Sequence, residues 1–416
     1  MKLDQRFIDP DDYGQRRLSN IPGTIISLLT GAGRTDILPE DVFSPDCKTI
    51  GRVVLFLVDG LTVDLFKRYS ASRKPVKDPD GRGSYVTMIT QFPSTTACNV
   101  TTINTALDVA SHGMFEWFYY EPMVDDVIVP LLYSHAREQK ERDTLKRIDH
   151  VAPADIFPRH TIYQELKKHG VNSYAFQYIE YAKSSFSDVV FTGAEVMGYR
   201  TLSHGLASLA DTFLKEEGKS YYYFYFDKID SLSHHLGPAS KYLEAELDTF
   251  FIALERLFLD RVKDKAKDTL FIITADHGQT AIDLSRTVYL NIAFPGIEKY
   301  MKTTRKGRPI VPAGSCRDMF LYIKDEHIDY VISLLQNGLG DRALVCRTSA
   351  LIESGYLGKV EISPEFRSRL GNVVILPFKG ESVWWYEKGV FELTFCGHHG
   401  GLTEEEMEIP FFSWCY

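Results

Sequence analysis

The chain has 416 residues, of which 44% are hydrophobic, 13% aromatic and 25% charged. This composition is typical of a globular protein and excludes wholesale disorder and fibrous repeats. The formal net charge is -9, which argues against a basic face for nucleic acid or for an anionic membrane. We therefore expect a folded enzyme that acts on a small molecule, without a polymeric nucleic acid or a membrane as its partner. The sequence does not indicate an oligomeric state.

The cysteines and the N-terminal segment bear on the cellular compartment. None of the cysteines forms a C-x-x-C pair, so the sequence predicts mostly reduced thiols rather than a disulfide scaffold or a zinc ribbon. They are Cys47, Cys98, Cys316, Cys346, Cys396 and Cys415. The first 17 residues lack the apolar run of a secretory signal, and the longest apolar stretches are far shorter than the roughly 20 residues that cross a bilayer. These features predict a cytoplasmic protein.

Buried strands and amphipathic helices alternate along the first two thirds of the chain. Near-continuous apolar runs at 53–58, 220–226 and 269–274 predict buried strands. Segments of helical period lie between or beside them, at 161–169, 203–217 and 242–263. The alternation predicts an α/β fold with a mostly parallel central sheet and helices on both faces.

From about residue 296 to residue 389 the pattern changes. A basic loop at 299–308 is followed by a predicted strand at 320–323, a helix at 326–336 and a strand at 373–376. This segment is predicted to be a smaller α+β cap inserted into the α/β core. The core would then comprise residues 1–295 and 390–416, and the cap residues 296–389.

Carboxylates and imidazoles follow the three predicted strands. They are Asp59 after the first strand, Asp230 and His234 after the second, and Asp276 and His277 after the third. Ligands of open parallel sheets bind beyond the carboxyl ends of the strands, where such residues converge. A glycine-rich segment at 396–401 adds His398 and His399. Mixed carboxylate and imidazole ligands suit Zn²⁺ or a similar divalent ion, and about six of them suffice for two ions.

A candidate nucleophile lies in the segment 91–99. A strand-like run at 86–89 leads into a proline turn that presents three hydroxyls, those of Ser94, Thr95 and Thr96. The last of them is placed near a predicted helix start, whose N-terminus favours phosphate and alkoxide. Because Thr95 and Thr96 could also cap that helix, the residues alone leave the choice among the three open.

Taken together and in this order, the motifs resemble those of one superfamily. They are Asp59 after the first strand, F-P-S-T-T at 92–96, D-x-x-x-H-x-x-G-P at 230–238, A-D-H-G at 275–278 and H-G-G-L-T-x-E-E-M at 399–407. The set is similar to the alkaline phosphatase superfamily, in its branch of type I phosphodiesterases and nucleotide pyrophosphatases. The resemblance spans residues from about 52 to 412.

The resemblance implies a site and a mechanism. One metal ion would be held by Asp59, Asp276 and His277, and a second by Asp230, His234 and His399; Thr96 would contact a metal and act as the nucleophile. A phospho-threonine at Thr96 would form and then be hydrolysed. The cofactors would be two divalent ions, most suitably Zn²⁺, with Mn²⁺ or Fe as alternatives, and the substrate a small phosphate ester, with diesters preferred.

Other functions remain open at this level. The same metal pair serves phosphomonoesterases and hydrolases of sulfate or phosphonate esters, which differ in the pocket for the leaving group. A catalytically silent binding protein is the remaining alternative, although the complete set of ligands argues against it. Two departures from the branch put nucleobase and phosphate contacts in doubt: Ala97 stands where nucleotide pyrophosphatases place an aromatic residue, and Trp117 stands where an asparagine is expected. Asn99 could supply that amide instead.

Several other residues carry weaker functional interpretations. Asp227 is the rival of Asp230, Cys98 could be a reactive thiol, and Trp384-Trp385-Tyr386 could be a platform for substrate or part of the core of the cap. His112, His235 and His398 are expected to cap a turn or to flank ligands. The basic run 299–308 is expected to be a solvated loop, with contact to a substrate's phosphate or acidic group as the alternative.

Overall fold

The computed structural model of the chain describes residues 3–44, 47, 49–72, 83–358 and 360–415. Its strands are β1 (Arg52–Val58), β2 (Ser84–Ile89), β3 (Tyr119–Glu121), β4 (Asp126–Val129), β5 (Ser134–His135), β6 (Asn172–Tyr178), β7 (Glu195–Tyr199), β8 (Ser220–Phe226), β9 (Thr269–Thr274), β10 (Thr280–Ala281), β11 (Val288–Tyr289), β12 (Met319–Leu321), β13 (Ala343–Arg347), β14 (Val373–Pro377), β15 (Val383–Trp384), β16 (Gly397–His398) and β17 (Glu408–Cys415).

Helices connect most of these strands. They are α1 (Asn20–Thr30), α2 (Val63–Ser72), α3 (Thr96–Thr105), α4 (Val109–His112), α5 (Pro153–Ile156), α6 (Ile162–Lys168), α7 (Ile179–Ala182), α8 (Ser185–Val190), α9 (Leu202–Lys215), α10 (Lys228–Leu236), α11 (Lys241–Leu254), α12 (Asp260–Val262), α13 (Leu290–Ala293), α14 (Ile328–Leu339), α15 (Thr348–Glu353), α16 (Pro364–Arg369) and α17 (Glu404–Met407). The predicted helix at 242–263 is interrupted by a π-helical turn, Glu255–Leu259, between α11 and α12.

The central sheet has seven strands in the order β2-β17-β9-β1-β8-β6-β7. Strand β1 lies in its middle and pairs in parallel with both β8 and β9. Strand β17 runs antiparallel to both of its neighbours, β2 and β9, whereas β6 and β7 continue the parallel arrangement. The predicted α/β class with a mostly parallel sheet is therefore confirmed.

Both faces of this sheet are covered by helices. All seven residues of β1 and of β8 are buried, as is typical of strands in a parallel sheet. Along β8, Tyr221 stacks on Tyr163 of α6, while the neighbouring Tyr222 contacts Phe213 of α9. Since successive side chains of a strand point to opposite faces, α6 and α9 lie on opposite sides of the sheet.

The segment 296–389 contains a small sheet of its own, in the order β12-β14-β13, with all pairs antiparallel. The two predicted strands correspond to β12 and β14, and the predicted helix corresponds to α14. Strand β13 was not predicted. The proposed boundaries of core and cap remain a prediction, because the apolar residues of both regions belong to one continuous hydrophobic core.

The cysteines divide into a bonded pair and free thiols. Cys47 and Cys415 form a disulfide that ties the segment before β1 to the end of β17; Cys98, Cys316, Cys346 and Cys396 are free. Because structural disulfides persist in oxidising compartments, this pair does not support the cytoplasmic location, which stays a prediction. In the part of the chain that the structure describes, no helix is both long enough and apolar enough to span a membrane.

Candidate metal centre and substrate cavity

Three adjacent strands deliver the predicted acidic residues to one edge of the sheet. Asp59 directly follows β1, and Asp276 comes two residues after the end of β9. Asp230 and His234 lie on α10, which begins two residues after β8. Their separation of four residues puts both on the same face of that helix, and His234 Nε2 is 3.3 Å from Asp230 Oδ2.

Backbone contacts hold the three carboxylates close together. The amide of Asp230 donates to the carbonyl of Asp59 at 3.0 Å, and the amide of Gly60 donates to Asp276 Oδ1 at 3.2 Å. Gly60 has a φ of +67°, and a Cβ at this position would lie 2.8 Å from Asp230 Cβ. Glycine is required here because α10 passes too close to the end of β1 for any side chain.

All three imidazoles of the centre are oriented by the backbone. In each ring Nδ1 lies near a carbonyl oxygen: that of Gly397 for His234 (2.7 Å), of Gly278 for His277 (2.9 Å) and of Ser94 for His399 (3.0 Å). A carbonyl only accepts hydrogen bonds, so each Nδ1 carries a proton, and in the neutral ring each Nε2 presents its lone pair. This is the arrangement of metal-binding histidines with an oriented outer nitrogen.

The Nε2 atoms face the carboxylates. His277 Nε2 lies 3.3 Å from Asp59 Oδ1 and 3.5 Å from Asp276 Oδ2, and His399 Nε2 lies 3.8 Å from Asp230 Oδ1. Two sets therefore have ligand atoms within 4.8 Å of one another. They are Asp59 with Asp276 and His277, and Asp230 with His277 and His399. His277 belongs to both sets, and His234 adjoins the second through Asp230.

The buried carboxyl groups of the site are stable in their charged form only if a positive charge compensates them. Burial, followed by the nearby carboxylate of Asp276, raises the pKa of Asp59 well above its usual range, and burial raises the pKa of Asp276 to about 6. Within the described ranges, Asp59 Oδ1 and Asp276 Oδ2 are buried without a hydrogen-bond partner. Burial also lowers the pKa of His277 to about 4 and of His399 to about 3, which favours the neutral ring that binds metals. These residues fit divalent cations.

Two side chains that the sequence did not reveal orient the acidic residues. The Tyr225 hydroxyl donates to Asp59 Oδ2, the oxygen turned away from His277, and Gln279 Nε2 donates to Asp230 Oδ1. Tyr225 sits within β8 and Gln279 follows the A-D-H-G motif, so proximity to the motifs was the only sequence signal. Such partners commonly fix which oxygen a carboxylate offers to a metal.

The structure distinguishes the three hydroxyls of the 94–96 segment. Ser94 Oγ donates to the Gly401 carbonyl at 2.9 Å. Thr95 is the N-cap of α3: its Oγ1 accepts from the Cys98 amide and donates to the Phe115 carbonyl at 2.7 Å. Thr96 Oγ1 instead lies 3.0 Å from His277 Nε2. Of the three, Thr96 alone is directed at the cluster.

A cavity of about 540 Å³ opens beside this cluster. Its lining includes Asp59, Thr96, Asp230, His234 and His399 together with many aromatic side chains. Among the described lining residues, Arg142 is the only lysine or arginine. The cavity therefore joins the candidate metal centre to a largely apolar space, in which Arg142 is the one permanent positive charge that the described lining contributes.

Comparison with known proteins identifies the family. The family model for type I phosphodiesterases and nucleotide pyrophosphatases matches residues 53–401. The chain belongs to this family. It is accordingly a metal-dependent hydrolase of the phosphodiesterase type, in the alkaline phosphatase superfamily. No curated protein is significantly similar in sequence.

Solved structures with the same fold include two ectonucleotide pyrophosphatase/phosphodiesterase 5 proteins. The human protein is 18% identical with a TM-score of 0.61. An inactive variant of the murine protein, in complex with AMP, is 16% identical with a TM-score of 0.60. In both cases 86% of this chain and 87% of the other chain are covered. At this identity the likeness shows the fold, including its alkaline-phosphatase-like sheet.

Ala97 and Trp117, the two departures from the phosphodiesterase pattern, both line the cavity. Trp117 is 40% exposed and offers an indole where an amide was expected. Asn99 does not replace that amide, because its side chain is fully buried, donates to the Thr95 carbonyl at 3.0 Å and accepts from the Gln91 amide. The suggestion that Asn99 contacts a substrate is therefore wrong.

Several of the weaker interpretations resolve as structural. Asp227 accepts hydrogen bonds from Tyr181 and Lys228. His112 is buried and bonded to Thr102 Oγ1. Burial raises the pKa of the Cys98 thiol well above its usual value, so Cys98 is a small buried side chain rather than a reactive thiol.

The remaining candidates lie at or beyond the wall of the cavity. His398 is buried beside His234, whereas His235 is exposed and contacts Phe395. Trp384 is buried and also lines the cavity. It therefore belongs to the hydrophobic core and can also contact a substrate, which are the two roles considered for the aromatic cluster. In the basic run, Lys302, Arg305 and Arg308 pair with Asp325, Asp125 and Asp126. None of these three cations lines the cavity, so the run is a solvated, ion-paired loop as expected.

Proposed function

We propose that this phosphodiesterase-family chain is a two-metal phosphodiesterase that acts through a phospho-threonine at Thr96. The observation that carries the proposal is the direction of Thr96 Oγ1, 3.0 Å from His277 Nε2, while the hydroxyls of Ser94 and Thr95 are engaged elsewhere. A hydroxyl at the edge of a carboxylate and imidazole cluster is placed for nucleophilic catalysis.

The ligand sets follow from the donors present. Asp59, Asp276 and His277, with Thr96, would hold one ion. Asp230, His234 and His399 would hold the other. Carboxylate oxygens combined with imidazole nitrogens favour Zn²⁺ among the divalent ions. When bound, two such ions stabilise negative charge on the attacking and leaving oxygens of a displacement at phosphorus.

The chain itself positions the nucleophile. Thr96 is the first residue of α3, whose N-cap is Thr95, so its hydroxyl lies at the positive end of a ten-residue helix. This end favours both the deprotonated hydroxyl and a phosphate oxygen. Thr96 Oγ1 would form a bond to phosphorus as the bond to the leaving oxygen breaks, and water would then hydrolyse the phospho-threonine and restore the hydroxyl.

The cavity favours diesters over monoesters. A phosphomonoester carries up to two negative charges, whereas a diester carries one and has a second organic group that needs space. About 540 Å³ of largely apolar volume, with Arg142 as the only lysine or arginine among the described lining residues, suits the diester. AMP bound to the murine relative suggests nucleotides as substrates, although Ala97 provides no ring next to Thr96 on which a base could stack.

The proposal is tested by metal content together with paired substrates. Elemental analysis of the purified protein should find about two divalent ions per chain, and bis(p-nitrophenyl) phosphate should be hydrolysed with a higher kcat/KM than p-nitrophenyl phosphate. Preference for the monoester would favour a phosphomonoesterase. Metal without turnover of either ester would contradict the proposal and favour sulfate or phosphonate esters.

Replacing Tyr225 by phenylalanine should weaken metal binding without unfolding the protein. The substitution keeps the ring inside the sheet but removes the donor to Asp59 Oδ2. Loss of such an orienting hydrogen bond lowers metal affinity by about 10–100-fold. Competition with a chelator measures this affinity, and Tyr223→Phe is the matched control, because Tyr223 lies in the same strand but the hydrogen bond to Asp59 comes from Tyr225. Equal metal affinity in the wild type and Tyr225→Phe would remove Tyr225 from the site.

A further inference from the structure

A second pair of buried carboxyls lies in the wall of the cavity, outside the metal centre described above. Glu116 precedes β3 and lines the cavity, and Asp318 directly precedes β12. Both side chains are 0% exposed. The pair therefore joins the core, through Glu116, to the segment 296–389, through Asp318.

Neither carboxyl has a cationic partner among the described residues. Arg317, next to Asp318 in the chain, pairs instead with Glu406 at 2.9 Å. Glu116 Oε2 accepts from the Trp117 amide at 2.5 Å, and Asp318 Oδ1 accepts from Ser315 Oγ at 2.6 Å. The other oxygens, Glu116 Oε1 and Asp318 Oδ2, are buried and receive no hydrogen bond from a donor in the described part of the chain.

Oxygen atoms of three side chains converge beside Gly400. A Cβ at Gly400 would lie 2.5 Å from Ser315 Oγ, 2.9 Å from Asp318 Oδ1 and 3.0 Å from Glu116 Oε1. Ser315 Oγ is also 3.3 Å from the carbonyl oxygen of His399. The convergence leaves no room for a side chain at position 400, and it gathers oxygen atoms from both the core and the segment 296–389.

This convergence places excess negative charge in a buried region. Burial raises the pKa of Glu116 to about 7; burial, followed by the charge of Glu116, raises the pKa of Asp318 well above its usual range. Asp59 Oδ1 and Asp276 Oδ2 of the metal centre are likewise buried without a hydrogen-bond donor among the described residues. Two adjacent buried carboxylates cannot both stay charged without compensation. They therefore either share a proton or bind a cation.

We propose that Glu116, Asp318 and Ser315 bind a further cation, a hard divalent ion such as Ca²⁺ or Mg²⁺. All the converging donors are oxygens, which such ions prefer, whereas the imidazole-containing centre suits Zn²⁺. Glu116 and Ser315 also line the cavity, so the cluster lies at its wall. The ion ties the loop that contains Ser315 and Asp318 to the segment before β3 that contains Glu116.

Mn²⁺, followed by its electron paramagnetic resonance signal, is the probe for this site. The full chain is first saturated with Zn²⁺ and then titrated with Mn²⁺. The wild type should bind one Mn²⁺ that Mg²⁺ or Ca²⁺ displaces, and Glu116→Gln and Asp318→Asn should bind it at least 10-fold more weakly. Glu392→Gln, which removes a carboxylate elsewhere on the cavity lining, should bind Mn²⁺ as the wild type does.

Two further comparisons separate this site from the proposed zinc pair and from a folding defect. Asp59→Asn should lose zinc but keep the Mn²⁺ site, so failure of the two-metal proposal leaves this test intact. Glu116→Gln keeps the side-chain volume and removes a buried charge, and should therefore unfold cooperatively like the wild type. The proposal would be overturned if Glu116→Gln bound Mn²⁺ with wild-type affinity, or if every Mn²⁺ site of the wild type were lost in Asp59→Asn. Glu116 and Asp318 would then share a proton instead of binding a cation.

Discussion

Thr96→Ala is expected to lower kcat for diester hydrolysis by about 10⁴-fold or more, because it removes the group proposed to attack phosphorus. The other three ligands proposed for the ion that Thr96 contacts remain, so bound metal and overall stability should change much less than kcat. Thr96 Oγ1 contacts the centre through His277, whereas the N-cap residue of helix α3 is Thr95. The measurement is steady-state hydrolysis of bis(p-nitrophenyl) phosphate, with metal content determined on the same preparations.

The neighbouring threonine provides a matched control. Thr95→Ala makes the same chemical change one residue earlier and removes the N-cap, so it should destabilise the protein by about 1 kcal/mol and retain most of the activity. Thr96→Ser, which restores a hydroxyl, should recover part of the turnover. An active Thr96→Ala variant, or equal losses in both alanine variants, would contradict the role of Thr96.

Arg317→Met is expected to lower the free energy of unfolding by about 3–5 kcal/mol, because it leaves a buried carboxylate without its partner. Arg317 and Glu406 are both fully buried and pair at 2.9 Å. The Glu406 carboxylate also accepts from the Gly401 amide and the Thr403 hydroxyl. The substitution therefore loosens the turn that follows His399 as well as the contact with the segment 296–389.

Denaturant unfolding measures this effect. Arg347→Met is the matched control, since Arg347 pairs with Asp329 at 2.6 Å on the surface and surface pairs contribute about 0–1 kcal/mol. In a double-mutant cycle, adding Glu406→Gln to Arg317→Met should cost less than Glu406→Gln costs alone. Additive losses would mean that the two side chains are not coupled.

The strands that carry the acidic residues could be predicted because a parallel strand buried on both faces gives a continuous apolar run. β1, β8 and β9 agree with the predicted segments to within one residue. β17 was missed although it pairs with both β2 and β9. It contains Pro410, and a proline inside a run argues against a central strand.

The local motifs predicted that the candidate residues lie at one edge of the sheet. They did not predict the contacts between these residues. The stacking of His277 on His399, at 3.6 Å between ring centres, joins segments that are far apart in the chain. The hydrogen bond from Tyr225 to Asp59 and the Cys47–Cys415 disulfide do the same. Such contacts depend on how loops and strands pack in three dimensions, for which periodicity and motif spacing in one sequence carry no signal.

The stereochemical course of hydrolysis at phosphorus tests the role of Thr96 most directly. Each in-line displacement inverts the configuration at phosphorus, so attack by Thr96 followed by attack of water amounts to two inversions. With a diester made chiral at phosphorus and hydrolysed in isotopically labelled water, the account predicts net retention. Net inversion would mean that water attacks the substrate directly, and it would contradict a phospho-threonine intermediate.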